Sequence, residues 1–147
     1  TVLSFASLKF EFYLLEFYKI MSLDNKTKKT IEINVMASVR NILLVVLCAG
    51  MMGMGMVKMV GVPELVERFA EWGFTRWMVF AIGVLETSIS IMLFIKPVRK
   101  YAILALIALL VSALSTHVLF GDAIGAIGPF AVLTGTLLFW WLDSKVG

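Results

Sequence analysis

Cysteine, histidine and charged side chains are scarce in this sequence of 147 residues, and each scarcity excludes a class of protein. A single cysteine, Cys48, permits neither an intrachain disulfide nor CxxC redox chemistry within the chain. A single histidine, His117, excludes haem with two histidine ligands and a multi-histidine metal site, so we expect no metal in the chain. The formal charge of +3 is too small to predict nucleic-acid binding. Only 16% of residues are charged and 61% are hydrophobic, which a soluble domain of this size could not bury.

Four long apolar segments account for this composition. Each is close to the roughly 20 residues that an α-helix needs to cross about 30 Å of hydrocarbon. Because lipid offers no hydrogen-bond partners to the backbone, segments of this length are predicted to be helices rather than strands. We therefore predict an all-α membrane domain over residues 36–147. Its transmembrane helices are predicted at about 39–60, 77–95, 101–120 and 123–142.

The connections between these helices predict how they are arranged. The turn KPVRK (96–100) and the pair Gly121 and Asp122 are short enough to make sequential helices antiparallel neighbours. The longer link over 61–76 has the pattern of a short amphipathic helix at the membrane interface. Lysine and arginine are more numerous on the side of the KPVRK turn, which predicts that both termini are cytoplasmic. The predicted fold is an up-down-up-down transmembrane four-helix bundle in the cytoplasmic (inner) membrane.

Residues 1–35 are predicted to form an N-terminal extension. The sequence does not begin with methionine, and a basic, polar stretch typical of the start of a membrane protein begins at Met21. Up to Lys19 the extension is apolar and aromatic, and two interpretations stay open. It is either a non-native segment or an interfacial helix.

Three ionisable residues of the predicted spans are candidates for a polar site: Glu86, Lys58 and His117. Glu86 is near the middle of the second span, where an ionised acid costs about 2.5–3.5 kcal/mol and normally faces a partner inside the bundle. Lys58 and His117 lie near the outer ends of the first and third spans. We expect at least two of these three side chains to converge on a pocket that opens outward. The candidate pocket residues are Glu86, His117, Lys58, Ser90, Ser112 and Thr116.

Each ionisable residue also has a structural interpretation. Glu86 either holds two helices together through a hydrogen bond or forms the floor of a site for a ligand, a proton or a quinone head group. His117 is either a hydrogen-bonded structural residue or a pocket residue. Lys58 either extends its ammonium group to the interface or turns inward toward Glu86.

Small residues and methionines mark the faces on which helices are expected to pack. Five methionines lie between 51 and 59, and a flexible apolar lining is a commoner use of such residues than a Cu(I) path. Glycines allow two helices to approach closely. The glycines predicted to lie at helix contacts are Gly50, Gly53, Gly83, Gly128 and Gly135.

Several of these features occur in a fixed order along the chain. CAGMMGMGMVKMVGVPE contains Lys58 and Pro63, WMVFAIGVLE ends on Glu86, and KPVRKYAILALIALLVSALSTH contains Arg99 and His117. In this order and spacing, over about residues 38–142, the chain resembles the DoxX-like family of small four-helix membrane proteins. It departs from the family pattern in its methionine-rich first helix and its N-terminal extension.

This resemblance implies a four-helix bundle in the cytoplasmic membrane and an association with quinone-linked oxidation, such as thiosulfate or terminal quinol oxidation. Related animal proteins act as membrane chaperones for receptor assembly, so the fold alone does not define the activity. The sequence contains no self-contained catalytic motif and no flavin, haem or iron–sulfur motif. An oxidoreductase activity would therefore belong to a complex, with the electron carrier on another subunit.

Three functions follow from these observations. The first is an accessory subunit of a quinone-linked redox system, with a quinone head group in the outward-opening pocket. The second is a non-enzymatic assembly, chaperone or scaffold protein in which Glu86 stabilises the bundle. The third is a small transporter, which would have to be an oligomer because four helices with one buried acid make a poor pore. The expected partners are membrane lipid and either redox-complex subunits or further copies of the chain.

Overall fold

A computed structural model describes residues 2–22 and 25–146, and these residues are helical with no β-strand among them. This confirms the predicted all-α class. The helices are α1 (Val2–Met21), α2 (Asn25–Val60), α3 (Pro63–Glu71), α4 (Arg76–Phe94), α5 (Arg99–Leu119) and α6 (Ala123–Val146). The chain divides into two compact units, residues 1–36 and residues 37–147.

Within the described residues, the helices that are long and apolar enough to cross a membrane are four in number: α2, α4, α5 and α6. They correspond to the four transmembrane helices predicted from the apolar segments. Two of them are longer than predicted, because α2 begins at Asn25 and α6 continues to Val146. Hydropathy detects only the apolar part of a helix, so it misses the polar stretch 25–38. This stretch contains neither proline nor glycine, so nothing in it ends the helix.

The first unit contains α1 and the start of α2. From Glu11 onward the side chains of α1 are exposed, including large aromatic residues such as Tyr13 and Phe17. Lys28 donates a hydrogen bond to the backbone oxygen of Met21, the last residue of α1, 3.0 Å away. The described residues of the region predicted as an N-terminal extension are therefore almost all helical. The interfacial and the non-native interpretation of the segment up to Lys19 both stay predictions.

In the second unit, α3 occupies the link that was predicted to contain an amphipathic helix. It begins at Pro63, where the missing N–H is harmless because the first turn of a helix has no internal acceptor for it. Gly73 follows the helix in a left-handed conformation with φ of 82°, which glycine adopts without steric cost. The chain then turns into α4, whose first N–H groups are capped by the Thr75 hydroxyl at 3.4 Å from the Met78 nitrogen.

The core of the second unit is formed by α2, α4, α5 and α6. Each contributes buried apolar side chains, among them Leu47, Leu93, Leu106 and Phe139. Many other large apolar residues on these helices are exposed, Ile124 to 84% and Phe130 to 60%. Such an exterior is unfavourable in water and favourable in hydrocarbon, which agrees with membrane-spanning helices.

Contacts between α2 and its neighbours define how the helices are aligned. Along α2, Arg40 contacts Asp143 of α6, and Leu43 and Leu47 pack beside Gly135, about two turns earlier in α6. Against α4, Cys48 contacts the Ser90 backbone, and further along α2 the contacts move back to earlier residues of α4. α2 is therefore antiparallel to α4 and to α6.

Candidate functional site

Lys58 and Glu86 form a buried ion pair between α2 and α4. The Lys58 Nζ lies 2.6 Å from Oε1 and 2.7 Å from Oε2 of Glu86, so both carboxylate oxygens accept hydrogen bonds from the ammonium group. The two side chains are only 9% and 10% exposed. The structure thus brings together two of the three ionisable residues found in the apolar segments, and each compensates the charge of the other.

Two glycines set the distance between the helices at this ion pair. A β-carbon at Gly83 would lie 2.6 Å from the backbone oxygen of Gly55, and one at Gly55 would lie 2.5 Å from the Thr87 hydroxyl oxygen. Both distances are too short for a real side chain, so α2 and α4 cross here in direct backbone contact. Each glycine precedes the charged residue of its helix by three positions, which places that residue on the same helical face.

The directions of the two side chains follow from this crossing. The Cα–Cβ bond of a helical residue tilts toward the N-terminus of the helix. Lys58 follows the crossing point on α2 and Glu86 follows it on α4, while the two helices run in opposite directions at their contact. Both side chains therefore tilt back toward the crossing and toward each other, which lets the long lysine reach the deeper carboxylate.

The predicted packing glycines divide into two groups. Gly83 lies at the crossing just described, and a β-carbon at Gly135 would lie 3.2 Å from Leu47. The predicted helix contact is not found at Gly50, Gly53 and Gly128, because a β-carbon at any of them would meet nothing within 4 Å among the described residues. They face away from the other helices of the chain. Gly55, two residues after Gly53, makes the close contact with α4 instead.

Ser90 is buried beside the ion pair but does not bind the carboxylate. Its hydroxyl donates to the backbone oxygen of Glu86 at 2.7 Å, within α4. The backbone oxygen of Ser90 in turn accepts a hydrogen bond from the Cys48 thiol, with Sγ 3.4 Å away. Ser90 and Cys48 therefore fix α2 against α4 two turns from the glycine crossing.

A surface pocket of about 450 Å³ adjoins the ion pair at the end of α2 and the start of α4. We call it the Lys58 pocket. Its volume is within the range of small-molecule sites, roughly 300–1,000 Å³. Among the residues predicted for a common pocket, Lys58 alone lines it. The lining residues are Lys58, Met59, Gly61, Arg76, Trp77 and Phe80.

His117 belongs to a different cluster, at the end of α5. Its Nδ1 lies 3.0 Å from Oδ2 of Asp122, and the edge of its ring contacts Trp72, with ring centroids 5.0 Å apart. Trp72 also stacks on Phe120 at 5.6 Å, so the end of α3 is held against the α5–α6 turn. In the described part of the chain the polar partner of His117 is thus Asp122, and not Glu86 or Lys58.

The hydroxyls of Ser112 and Thr116 form hydrogen bonds within α5 rather than with the ion pair. The Ser112 hydroxyl donates to the Ala108 oxygen at 2.9 Å, and the Thr116 hydroxyl donates to the Ser112 oxygen at 2.9 Å. Ser112 is exposed on the outside of α5. The expectation of one pocket shared by all six candidate residues is therefore corrected, because the hydroxyls are satisfied within their own helix and His117 turns to the interhelical turn.

Asp122 organises the turn between α5 and α6. Its Oδ1 accepts a hydrogen bond from the Gly125 backbone N–H at 2.9 Å, which caps the start of α6, and Arg68 of α3 lies 3.6 Å from Oδ2. The Gly125 hydrogen bond is the main reason that the pKa of Asp122 is lowered; partial burial opposes this shift, and His117 and Arg68 add to it. An aspartate immediately before an apolar run is a recognised helix-start signal, so this role could have been found in the sequence.

A third polar cluster lies at the opposite end of the bundle. Arg99 donates from Nη1 to Asp143 at 2.9 Å and from Nε to the Leu93 backbone oxygen at 2.7 Å. Arg40 reaches the same Asp143 oxygen at 3.6 Å. Arg99 thereby connects α4, α5 and α6, and Arg40 adds α2. Asp143 was not singled out in the sequence, since a charge near a helix end in water needs no partner.

The described residues contain no group of three histidine, cysteine, aspartate or glutamate side chains that could hold a metal ion. No curated protein and no solved structure was found to match this chain. The sequence model of the DoxX-like family does match, over residues 42–139. That range contains the glycine crossing, the Lys58–Glu86 ion pair, the Lys58 pocket and the His117 cluster. The chain, with its four long apolar helices, therefore belongs to the DoxX-like family.

Proposed function

We propose that this protein is an accessory subunit of a quinone-linked redox system in the cytoplasmic membrane, and that the Lys58 pocket receives the quinone head group. The observation that carries the proposal is the double position of Lys58. It pairs with Glu86 on one side and lines the pocket on the other. In this proposal the structural and the pocket role of Glu86 are combined: Glu86 holds Lys58, and Lys58 faces the ligand.

The donor inventory of Lys58 supports this proposal. An ammonium group has three N–H donors, and the two carboxylate oxygens of Glu86 account for at most two of them. The remaining donor can bind a carbonyl oxygen of a ligand in the pocket. Glu86 would hold the lysine side chain in place, and the pair would exchange protons with a quinol at that point.

The remaining lining residues fit an amphiphilic ring. Trp77 and Phe80 are exposed on the first turns of α4, where an aromatic ring can pack against them at the membrane interface. A quinone tail could leave the pocket directly into lipid. In this arrangement the electron carrier belongs to a partner subunit, since the chain itself contains no recognisable redox motif.

The proposed orientation is an up-down-up-down bundle with both termini in the cytoplasm. The opposite directions of α2 relative to α4 and to α6 support the arrangement. The orientation is supported by lysine and arginine around the KPVRK turn, near the Arg99–Asp143 cluster. The Lys58 pocket then opens toward the outer surface of the inner membrane.

Binding of a quinone analogue to the purified protein tests the proposal. In nanodiscs, an alkylated naphthoquinone should quench tryptophan fluorescence in a saturable manner, above the quenching caused by partition into empty discs. Trp77→Leu should remove most of the saturable signal. Trp141→Leu is the matched control, because Trp141 is also exposed, to 53%, but lies near the end of α6, outside the Lys58 pocket. Equal signals from both variants would contradict the assignment of the pocket.

A membrane assembly or scaffold role is the second candidate, and a specific observation favours it. Gly50, Gly53 and Gly128 lie on open helix surface, where another transmembrane helix could approach as closely as α2 approaches α4. If this is the function, Gly53→Leu should abolish co-purification of a partner while the monomer remains folded. Glu86→Gln should then be tolerated wherever the bundle survives, and quinol-dependent respiration should be unaffected.

A further inference from the structure

The charges around the Lys58 pocket do not balance. Lys58 is compensated by Glu86 at 2.6 Å. Arg76, the other cation of the lining, forms no ion pair and no side-chain hydrogen bond among the described residues. Its guanidinium rests against Gly61, where a β-carbon would lie 3.4 Å from Nη2. The pocket therefore has one positive charge in excess, which is carried by a group with several unused donors.

Two features increase the effect of this charge on a ligand. Arg76 is the first residue of α4, so the partial positive charge of the helix N-terminus has the same sign and the same location. The aromatic rings of Trp77 and Phe80 and the membrane lower the local dielectric constant, which strengthens the attraction between opposite charges. A guanidinium also binds two oxygens of one anionic group more readily than a single carbonyl oxygen.

We propose that the Lys58 pocket selects an amphiphile whose head group carries a negatively charged oxygen, in preference to a neutral one of the same shape. This inference rests on the proposed function only for the choice of a quinone as scaffold. Within that function, the preferred ligand is the ionised form of a hydroxyquinone. The anionic oxygen would lie between Arg76 and Lys58, and the ring would pack against Trp77.

A matched pair of ligands tests this selectivity. One is a 2-alkyl-1,4-naphthoquinone and the other is its 3-hydroxy derivative, whose enolic hydroxyl is ionised at neutral pH. Binding is measured with the full chain in nanodiscs of zwitterionic phosphatidylcholine, so that no anionic lipid competes, and empty discs are subtracted. We expect the ionised ligand to bind at least about tenfold more tightly than the neutral one.

Variants of Arg76 separate charge from shape. Arg76→Gln should reduce the preference for the ionised ligand to less than about threefold, whereas Arg76→Lys should retain most of it. Arg68→Gln is the matched control, because Arg68 is an exposed arginine outside the Lys58 pocket that is paired with Asp122. It should leave both affinities unchanged.

The outcomes distinguish this inference from the proposed function. Equal binding of the two quinones, with or without Arg76, overturns the charge selectivity and leaves the quinone function standing. If neither quinone binds but palmitate or phosphatidylglycerol binds in an Arg76-dependent manner, the quinone function fails and the selectivity for an anionic oxygen is upheld. Absence of saturable binding by all four compounds overturns both.

Discussion

Removing one member of the Lys58–Glu86 ion pair should destabilise the protein far more than removing both. At a separation of 2.6 Å, the attraction is about 6 kcal/mol for an effective dielectric constant of 20. Much of it offsets the desolvation of two charges that are about nine-tenths buried. Lys58→Met or Glu86→Met leaves the opposite charge buried without a partner, and we expect each to lower the free energy of unfolding by about 3–5 kcal/mol.

The double variant Lys58→Met/Glu86→Met should be close to the original protein in stability. Methionine approximates the volume of both side chains and adapts to irregular gaps, so the helix crossing at Gly55 and Gly83 is retained. Replacement of a buried ion pair by apolar residues is often neutral or stabilising. With about 3–5 kcal/mol lost in each single variant and almost nothing in the double variant, the coupling energy between the two positions should be about 6–10 kcal/mol, well above the roughly 0.5–3 kcal/mol of ordinary neighbouring residues.

Reversible unfolding in mixed micelles with an increasing fraction of sodium dodecyl sulfate, followed by tryptophan fluorescence, measures these free energies. The control is Arg68→Gln, which removes an ion pair whose arginine is 57% exposed and should change stability by less than about 1 kcal/mol. If the double variant lost as much stability as the two single variants together, Lys58 and Glu86 would act independently, and the ion pair would not be the element that joins α2 to α4.

Three further predictions concern packing, pH and topology. Gly83→Ala should destabilise the protein by about 1–3 kcal/mol in the same unfolding assay because its β-carbon would meet a backbone oxygen of α2, whereas Gly50→Ala should have no measurable cost; equal costs would contradict the crossing. The pKa of Asp122 is lower in the folded protein than its ordinary value, so its stabilisation is complete above about pH 5 and disappears as the pH falls through the lowered value. The stability difference between the original protein and Asp122→Asn should therefore shrink as the pH falls below about 4; a difference that stays the same from about pH 5 to 2 would refute it. In intact cells, an impermeant maleimide should label Glu71→Cys but not Lys100→Cys, and the reverse pattern would invert the proposed orientation.

The membrane helices could be predicted from the sequence because lipid constrains them strongly. A run of about 20 apolar residues has few structural alternatives when each backbone polar group must be satisfied within the segment. The ends of the helices were less predictable, since α2 extends back to Asn25 through polar residues that hydropathy does not detect. Lys58 and Glu86 could be expected to meet, because an isolated charge inside a span is too costly to remain alone.

The helix contacts could not be predicted in the same way. In soluble helices the apolar stripe identifies the buried face, whereas a helix that is apolar all round gives no such indication. Gly53 and Gly55 both look suitable for close packing in the sequence, and only the rotation of α2 decides that Gly55 faces Gly83. The His117 cluster depended on the fold of α3 and the α5–α6 turn, which brings Trp72 and Asp122 to the same ring.

The hydroxyl groups of the spans have a consequence for proton movement. In α4, α5 and α6 many of them donate their only proton to the backbone oxygen four residues earlier: Thr87, Ser90, Ser112, Ser115, Thr116, Thr134 and Thr136. A proton wire requires hydroxyls that rotate between donor and acceptor states, and here each rotation would first break a hydrogen bond within a helix. These residues add polar groups to apolar spans without providing a path for protons along them. We therefore expect protons to reach Glu86 from the pocket side, by way of Lys58.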